Sequence, residues 1–175
     1  MGHGCDPSGL SGWTWAQFKG KAECLVITVS LHIGLAFRTT TDYLQQKKLG
    51  TVSKQHTRHY QQKDNILEPD ILDLFDRALL DAVNTWLDMG NSVVLGIYMN
   101  EDIRTSRLTK GLQELGLYYA VLTLHIPASP PATQNGNQCR KPIDAVFVLQ
   151  GVVITRAGYC AFNGDHTMQS DHQMI

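Results

Sequence analysis

Several features that would indicate a zinc site, a membrane span or export are missing from the sequence. The only cysteines are Cys5, Cys24, Cys139 and Cys160, and none of them forms a CxxC pair, which argues against a zinc knuckle. No apolar run is long enough to span a bilayer. The glycine-rich start, residues 1–10, lacks the apolar core of a signal peptide. We therefore expect a soluble, intracellular protein without a membrane segment.

The sequence also lacks the surplus of basic residues that is typical of duplex-binding domains. It has 15 Lys and Arg against 16 Asp and Glu, for a formal net charge of −1. These totals neither favour nor exclude nucleic acid as a partner. With 175 residues, 43% of them hydrophobic, the chain is expected to form one globular domain with a core. We expect this domain over residues 13–175, after a flexible lead-in of small and polar residues over 1–12.

Alternation of apolar and polar residues predicts the first strands. Residues 13–19 alternate with a period of two, which is typical of a half-buried strand. The β-branched run over 24–31 predicts a buried strand that pairs with it as a hairpin. Short helices are expected over 43–48 and over 54–62, the second of them in a strongly polar surface segment.

The clearest helix signal covers residues 69–89. Asp residues occupy its first turns, where the helix dipole favours them, and Gly90 follows as a C-terminal cap. The apolar stripe expected to face the core consists of Ile71, Phe75, Ala78, Leu79, Ala82 and Trp86. The other expected elements are a strand over 92–97, a helix between Thr105 and Gly116, a strand over 119–124, a long loop over 126–142, and strands over 143–149 and 152–155. This order predicts a mixed α/β sheet packed on helices.

Polar residues follow or begin strands at three places. These are the segments Tyr98–Asp102, Pro142–Asp144 and Ser170–His172. Loops at strand ends are the usual location of active sites in α/β folds. A polar turn beside a strand is more often a structural cap, so none of the three segments is specific by itself.

The order and spacing of these segments resemble the C-terminal half of the endonuclease–exonuclease–phosphatase family. There one strand ends in a Gly-Asp-x-Asn motif, a later strand begins with the Asp of an Ile-Asp-x-x-x-Val motif, and the domain closes with Ser-Asp-His. The corresponding stretches here are Gly96-Ile97-Tyr98-Met99-Asn100, Ile143-Asp144-Ala145-Val146-Phe147-Val148 and Ser170-Asp171-His172. The resemblance covers residues 12–175. It implies a deoxyribonuclease I-like fold, a mixed β-sheet sandwich flanked by helices, which is incomplete in this chain.

The same resemblance implies a chemistry and a set of site residues. In that family water attacks a phosphodiester with the help of Mg²⁺ or Mn²⁺, and a histidine held by an aspartate contacts the phosphate or the water. His172 is then that histidine, and Asp144 is the aspartate that orients it. Asp171 is implied beside the metal, as a weak ligand, and Asn100 is implied to position the nucleophile or the phosphate. The implied partner is a nucleic acid or another phosphodiester.

The chain departs from the family pattern where charge is needed. Tyr98 stands where the Gly-Asp-x-Asn motif has its aspartate, and a phenol with a reference pKa near 10 cannot replace a carboxylate at neutral pH. The stretch Ser30–Gly34 stands where the family has a Tyr-Arg-Pro type motif. The family's Asn and metal-binding Glu belong to an N-terminal half, and this chain begins after the point where they are expected. We also expect the last strand to be cut short at Gln173–Ile175, which would leave exposed sheet edges.

Two functional hypotheses follow from these departures. In the first, the chain is a Mg²⁺-dependent phosphodiesterase, most plausibly a nuclease, that retains His172, Asp144, Asp171 and Asn100. In the second, it is a non-catalytic remnant or binding module that retains the fold after losing the metal site. Loss of charge at Tyr98 and absence of the metal-binding Glu affect the same step, so whether the chain is an enzyme stays open and the second hypothesis is favoured.

Two histidines have the spacing of metal ligands on one helix face. They are His56 and His59, which are three residues apart. Because no third ligand is indicated, we expect a solvated polar helix instead of a metal site.

Basic pairs and tryptophans offer two further interpretations. Lys47-Lys48 and Arg140-Lys141 are phosphate contacts in one interpretation and solvated surface in the favoured one. Trp13 and Trp15 face the same way, so they either stack on bases or, as we expect, pack under a helix.

Overall fold

The fold is a mixed α/β arrangement built on one six-stranded sheet. The computed structural model describes residues 2–6, 12–20, 25–31, 52–99, 101–125, 132–133 and 141–159. Within this part of the chain the strands are β1 (Gly2–Cys5), β2 (Trp13–Lys19), β3 (Leu25–Leu31), β4 (Ser92–Tyr98), β5 (Leu117–Tyr119) and β6 (Asp144–Leu149). The helices are α1 (Val52–Lys63), α2 (Ile71–Asp88), α3 (Arg107–Glu114) and α4 (Ala120–Leu124). The expected mixed α/β class is thus confirmed.

The sheet has the strand order β1-β2-β3-β4-β6-β5. Strands β2 and β3 form the predicted antiparallel hairpin, with Trp13 opposite Leu31. Strand β4 runs parallel to β3 because α2 provides the crossover between them. Strand β6 is antiparallel to both of its neighbours, β4 and β5. In the described part of the chain, no helix is both long and apolar enough to cross a membrane.

The first strand lies in the segment that was expected to be a flexible lead-in. Residues 2–5 pair with β2, and Gly4 lies opposite Trp15. A Cβ at Gly4 would come within 2.8 Å of the indole Nε1 of Trp15, so only glycine lets the backbone cross this ring. The glycines that make the segment look disordered in the sequence are therefore the residues that allow it to join the sheet.

Helix α2 packs its buried face into the core beside the sheet. Its N-cap is Asp70, whose Oδ1 accepts from the backbone N–H of Asp73 at 3.1 Å, and Gly90 follows its end with φ +76°. The side chains that it buries are Phe75, Asp76, Leu79, Val83 and Trp86. The apolar part of this stripe was predicted at Phe75, Leu79 and Trp86, whereas Val83 replaces the half-buried Ala82 as its centre.

The two tryptophans of β2 pack under α2, as expected. The ring of Trp13 meets Phe75 edge-on, with centroids 5.6 Å apart. The ring of Trp15 lies 6.0 Å from that of Trp86. Aromatic pairs at this distance add to the apolar burial of the helix against the sheet. Both rings therefore face protein, and stacking on bases is not supported.

Two predicted strands are wrong, each for an identifiable reason. Residues 119–124 were expected as one strand, but β5 ends at Tyr119 and α4 follows over Ala120–Leu124. A short apolar run fits a buried strand and a buried helix equally well. Residues 152–155 form no strand because β6, their expected hairpin partner, is already paired on both sides. The turn that leads into them is present, with Gly151 at φ +99°.

Candidate functional site at the end of strand β4

Two of the predicted motif positions meet at one end of the sheet. Tyr98, the last residue of β4, is paired directly with Asp144, the first residue of β6. Directly opposed residues of antiparallel strands have their Cβ atoms about 4.5–5.5 Å apart and share a face of the sheet. The end of β3 reaches the same edge, because Ser30 is paired with Gly96. The topology therefore brings Tyr98, Asp144 and the end of β3 to one end of the sheet.

Two hydrogen bonds to a buried threonine and one bond from the loop after β4 hold this strand end in place. The Oγ1 of Thr133 accepts from the backbone N–H groups of Ile143 at 2.9 Å and of Asp144 at 3.0 Å, and Thr133 is fully buried. The N–H of Met99 donates to the carbonyl of Ile143 at 2.7 Å, which ties the start of β6 to the loop after β4. Sequence reasoning missed Thr133 because it lies in a proline-rich loop without any periodic pattern.

Only one of the four predicted site residues lies in the described part of the chain. Asp144 is half-buried and lies opposite Tyr98. Asn100, Asp171 and His172 fall outside the described residues. The hydrogen bond expected between Asp144 and His172 therefore stays a prediction, and so does the proposed role of Asp171 at a metal.

The two carboxylates that follow β4 are already engaged by nearby side chains. Arg104 donates to Asp102 from Nε at 2.8 Å and from a terminal nitrogen at 2.5 Å. These hydrogen bonds are the main reason why the pKa of Asp102 lies below its ordinary value. Glu101 accepts from the Oγ of Ser106 at 2.7 Å. Among the described residues, no three His, Cys, Asp or Glu side chains converge as a metal site would require.

A second polar site lies on the helix side of the same strand end. It is a cleft of about 260 Å³ lined by Asp70, Leu72, Asp76, Glu101 and Arg107. Asp76 is only 3% exposed although it carries a carboxylate. Burial raises its pKa to about 6, and Arg107 offsets part of that effect.

Arg107 joins this cleft to the first turns of α2. It contacts Asp73 at 2.8 Å and the Oδ2 of Asp76 at 3.4 Å. The Oδ1 of Asp76 has no hydrogen-bond partner among the described residues. The sequence contained a signal for this residue, since position 76 shares the buried face of α2 with Leu79 and Val83 at helical spacing. The expected stripe left it out because only apolar residues were counted.

The structure places the remaining histidines and basic residues that the sequence analysis named in different surroundings. His56 is 3% exposed, so the expectation of a solvated face is wrong for this residue, whereas His59 is half-buried with its ring edge-on to Tyr60. His125, on α4's C-terminal side, forms a 2.8 Å hydrogen bond through Nε2 with the carbonyl of Ala157. Lys141 is exposed, as expected, while Lys47, Lys48 and Arg140 lie outside the described residues.

Comparison of the chain with protein-family models, with curated proteins and with solved structures found no match. The likeness to the endonuclease–exonuclease–phosphatase family therefore rests on the motifs quoted above. The mixed α/β sheet agrees with that likeness at the level of fold class only.

Proposed function

We propose that this chain is an endonuclease–exonuclease–phosphatase-type domain whose ancestral activity, metal-dependent hydrolysis of phosphodiesters, is impaired. The observation that carries the proposal is the direct pairing of Tyr98 with Asp144 across β4 and β6. The motif likeness assigns both positions to one site, and their direct pairing supports that assignment. The deoxyribonuclease I-like arrangement of the whole domain is part of the proposal.

The same pairing explains why the activity is impaired. In the family pattern the position of Tyr98 carries a carboxylate, so the pair would bring two negative charges to one strand end. Here a phenol lies beside Asp144, and one of the two charges is lost. A cation at this end of the sheet would be attracted less strongly, because one negative charge is missing, and it would have one oxygen ligand fewer.

The described residues do not fit a bound Mg²⁺ ion. This ion requires near-octahedral oxygen ligands at well-defined distances. Asp102 is held by Arg104 and Glu101 by Ser106, so neither carboxylate compensates for the lost charge at Tyr98. The role left to Asp144 is to orient and stabilise the protonated form of a neighbouring histidine, which the motif likeness identifies as His172.

A plasmid-nicking assay in Mg²⁺ or Mn²⁺ tests the proposal. We expect the chain to show at most trace nicking, because loss of one group that acts in the transition state commonly costs about 10²–10⁴-fold in rate. The Tyr98→Asp change should recover little, since catalytic losses within one unit do not simply add. Tyr118→Asp, at a partly exposed tyrosine of β5, is the matched control for adding a carboxylate to the sheet.

The outcome that would contradict impairment is clear in this assay. Robust nicking by the unaltered chain, abolished by both His172→Ala and Asp144→Asn, would make the protein an active nuclease with a rebuilt site. Nicking that survives both changes would indicate a contaminating nuclease and leave no role for the strand-end residues.

The alternative function is a non-catalytic binding module with the fold retained. The engagement of Glu101 and Asp102 by neighbouring side chains favours this alternative, because it removes the nearest substitutes for a metal ligand. Isothermal calorimetry with MgCl₂ tests it separately from hydrolysis. We expect no saturable heat in the micromolar range, whereas a tight one-to-one site would show that a metal centre persists.

A further inference from the structure

The cleft on the helix side of β4 has features that the proposed function leaves unused. Its walls come from three elements: Asp70, Leu72 and Asp76 belong to the start of α2, Glu101 to the loop after β4, and Arg107 to α3. At about 260 Å³ it is smaller than the roughly 300–1,000 Å³ of pockets that enclose a whole ligand. Its size suits a group as large as one side chain.

The charges in the cleft are not balanced. Three carboxylates line it against one guanidinium, and that guanidinium is shared with Asp73 outside the lining. The contact between Arg107 and Asp76 is 3.4 Å, well beyond the 2.7–2.9 Å of a strong charged hydrogen bond. The cleft therefore keeps a net negative charge that its own arginine neutralises only in part.

The Oδ1 of Asp76, which is unpaired among the described residues, indicates, independently of the net charge, that a ligand binds in this cleft. The side chain of Asp76 is 4% exposed, which makes it the most deeply set charge of the cleft that it lines. Its Oδ1 accepts no hydrogen bond from the described residues. Buried carboxylate oxygens are nearly always paired, because leaving one unpaired costs free energy. Oδ1 is closed to water in this arrangement, so a donor reaches it when the side chains around the cleft shift, and such a donor would remove that cost.

We propose that this cleft binds a primary ammonium group on an aliphatic stem, with the ammonium donating to Asp76 and Glu101 and the stem packing on Leu72. An ammonium group has three donors, which suits carboxylates that approach from different elements. Leu72 supplies an apolar wall of the kind along which the methylene groups of a lysine side chain pack. A metal ion fits less well, because no three ligating side chains converge among the described residues.

Binding should depend on pH, because only the ionised form of Asp76 accepts from the ammonium. The charged groups that face Asp76 are Asp73 on its own helix, Glu101 on the loop and Arg107 on α3. With a pKa of about 6, Asp76 is ionised at pH 7.5 and mostly protonated at pH 5. The affinity should therefore fall about tenfold between these two pH values.

Titration of the full chain followed by ¹H–¹⁵N NMR tests the proposal. The probe is n-butylammonium chloride at constant ionic strength and pH 7.5, and n-butanol is the control with the same stem and no charge. We expect saturable shifts at the amides of residues 70–76 and 101–107, with a Kd of about 1–10 mM for so small a probe, and none with n-butanol. Equal shifts with n-butanol, or with NaCl alone, would overturn the proposal.

Variants distinguish this site from general attraction of cations. Asp76→Asn should weaken binding at least tenfold, whereas Asp81→Asn, at an exposed carboxylate of the same helix, should leave the Kd unchanged. If Asp76→Asn does not fold, Glu101→Gln provides the same test, because glutamine still accepts from Ser106 but carries no charge. An unchanged Kd in the folded variant would overturn the proposal.

A second probe identifies the natural source of the ammonium group. An N-acetylated, C-amidated Gly-Lys-Gly peptide is titrated beside n-butylammonium. Tighter binding of the peptide supports a lysine side chain of a polypeptide, and tighter binding of the free amine supports a small alkylamine. Failure of both probes overturns the proposal and leaves the proposed phosphodiesterase ancestry untouched, because that ancestry is tested on the other side of the sheet end.

Discussion

The molecule has two aspartate–arginine pairs beside the end of β4, and the pKa values of their carboxyl groups shift in opposite directions. Asp102 is paired with Arg104 and has a lowered pKa. Asp76 is paired with Arg107 and has a pKa raised to about 6. Both partners are guanidinium groups, so the presence of an arginine does not decide the direction.

Geometry and burial explain the difference. Arg104 reaches Asp102 with two nitrogens at 2.8 and 2.5 Å, so the ionised carboxylate gains more than it loses by partial burial. Arg107 reaches Asp76 at 3.4 Å, and the carboxylate is almost wholly removed from water. Loss of solvation then outweighs the attraction. An arginine partner brings a carboxyl pKa below its ordinary value only when its contact outweighs the loss of water around the carboxylate.

The largest expected change in stability comes from removing Arg107, the partner of Asp76. In Arg107→Gln, Asp76 keeps its burial and loses its only opposing charge, so we expect the protein to be less stable by about 2–3 kcal/mol at pH 8. The loss should shrink to below about 1 kcal/mol at pH 5, where Asp76 is protonated. Urea unfolding followed by tryptophan fluorescence measures both values.

The matched control for this prediction is Arg77→Gln. Arg77 contacts Asp73 at 2.6 Å and its side chain is 72% exposed, but among the described residues it forms no ion pair with Asp76. Equal and pH-independent losses in the two arginine variants would show that Asp73, and not Asp76, is the important partner.

The next largest effect concerns the charge of Asp76 itself. Its folded-state pKa is above its ordinary value of 3.8, so its contribution to stability is full below that value and is lost as the pH rises to about 6. The unfolding free energy of the unaltered protein, relative to Asp76→Asn, should therefore fall by about 1–3 kcal/mol between pH 4 and 7. The upper end of this range converts the full difference between the folded-state pKa and 3.8 into free energy. The lower end allows for screening of the carboxylate charge by water in the cleft.

Urea unfolding of both proteins across this pH range provides the measurement, and Asp81→Asn is the control. A difference that grows with pH in favour of the unaltered protein would mean that Asp76 is a stabilising carboxylate like Asp102. The burial argument would then be wrong.

A smaller effect is expected at Ser106, which lies between the two pairs. Its Oγ caps α3 by accepting from the N–H of Thr109 at 3.3 Å, and it donates to Glu101 at 2.7 Å. Loss of a helix N-cap costs about 1 kcal/mol, so Ser106→Ala should be destabilised by that amount in thermal or urea unfolding. Thr105→Ala, at the exposed preceding hydroxyl, should change little, and an equal loss there would contradict a specific capping role.

The smallest effect is expected from the exposed pair. Asp102→Asn should lower the Tm by less than about 2 °C at neutral pH, because exposed ion pairs contribute little. Since the pKa of Asp102 is lowered, its contribution is present above the ordinary value of 3.8 and disappears as the pH falls below it. Differential scanning calorimetry at pH 7 and pH 3 checks this, and a larger loss at pH 3 would contradict the assignment.

Local patterns in the sequence were enough to predict the elements with strong periodicity. The hairpin of β2 and β3, helix α2 with its cap and its C-terminal glycine, and the buried strand β4 all follow from residue alternation and capping preferences. The contact that the motif likeness predicted, between Asp144 and His172, lies outside the described residues.

The failures at β1 and at residues 152–155 have a common cause, because each depends on pairing with another segment of the chain. Strand β1 forms since Gly4 can pass over Trp15, and residues 152–155 form no strand since β5 occupies the free side of β6. His56 is buried although its neighbours on α1 are polar. At β1 and at residues 152–155, pairing partners elsewhere in the chain override the local preference.

The sequence by itself determined which segments are helix or strand where the periodicity is long, and which positions carry the family-like motifs. Only the tertiary structure decided which charged side chains are buried and which form close hydrogen bonds with a partner. Asp76 and Asp102 are equally acidic residues in the sequence, but the packing of α2 against the sheet removes water from one, whereas Arg104 replaces water around the other. Solvation depends on every element that surrounds a group, so it cannot be determined from that group's own segment.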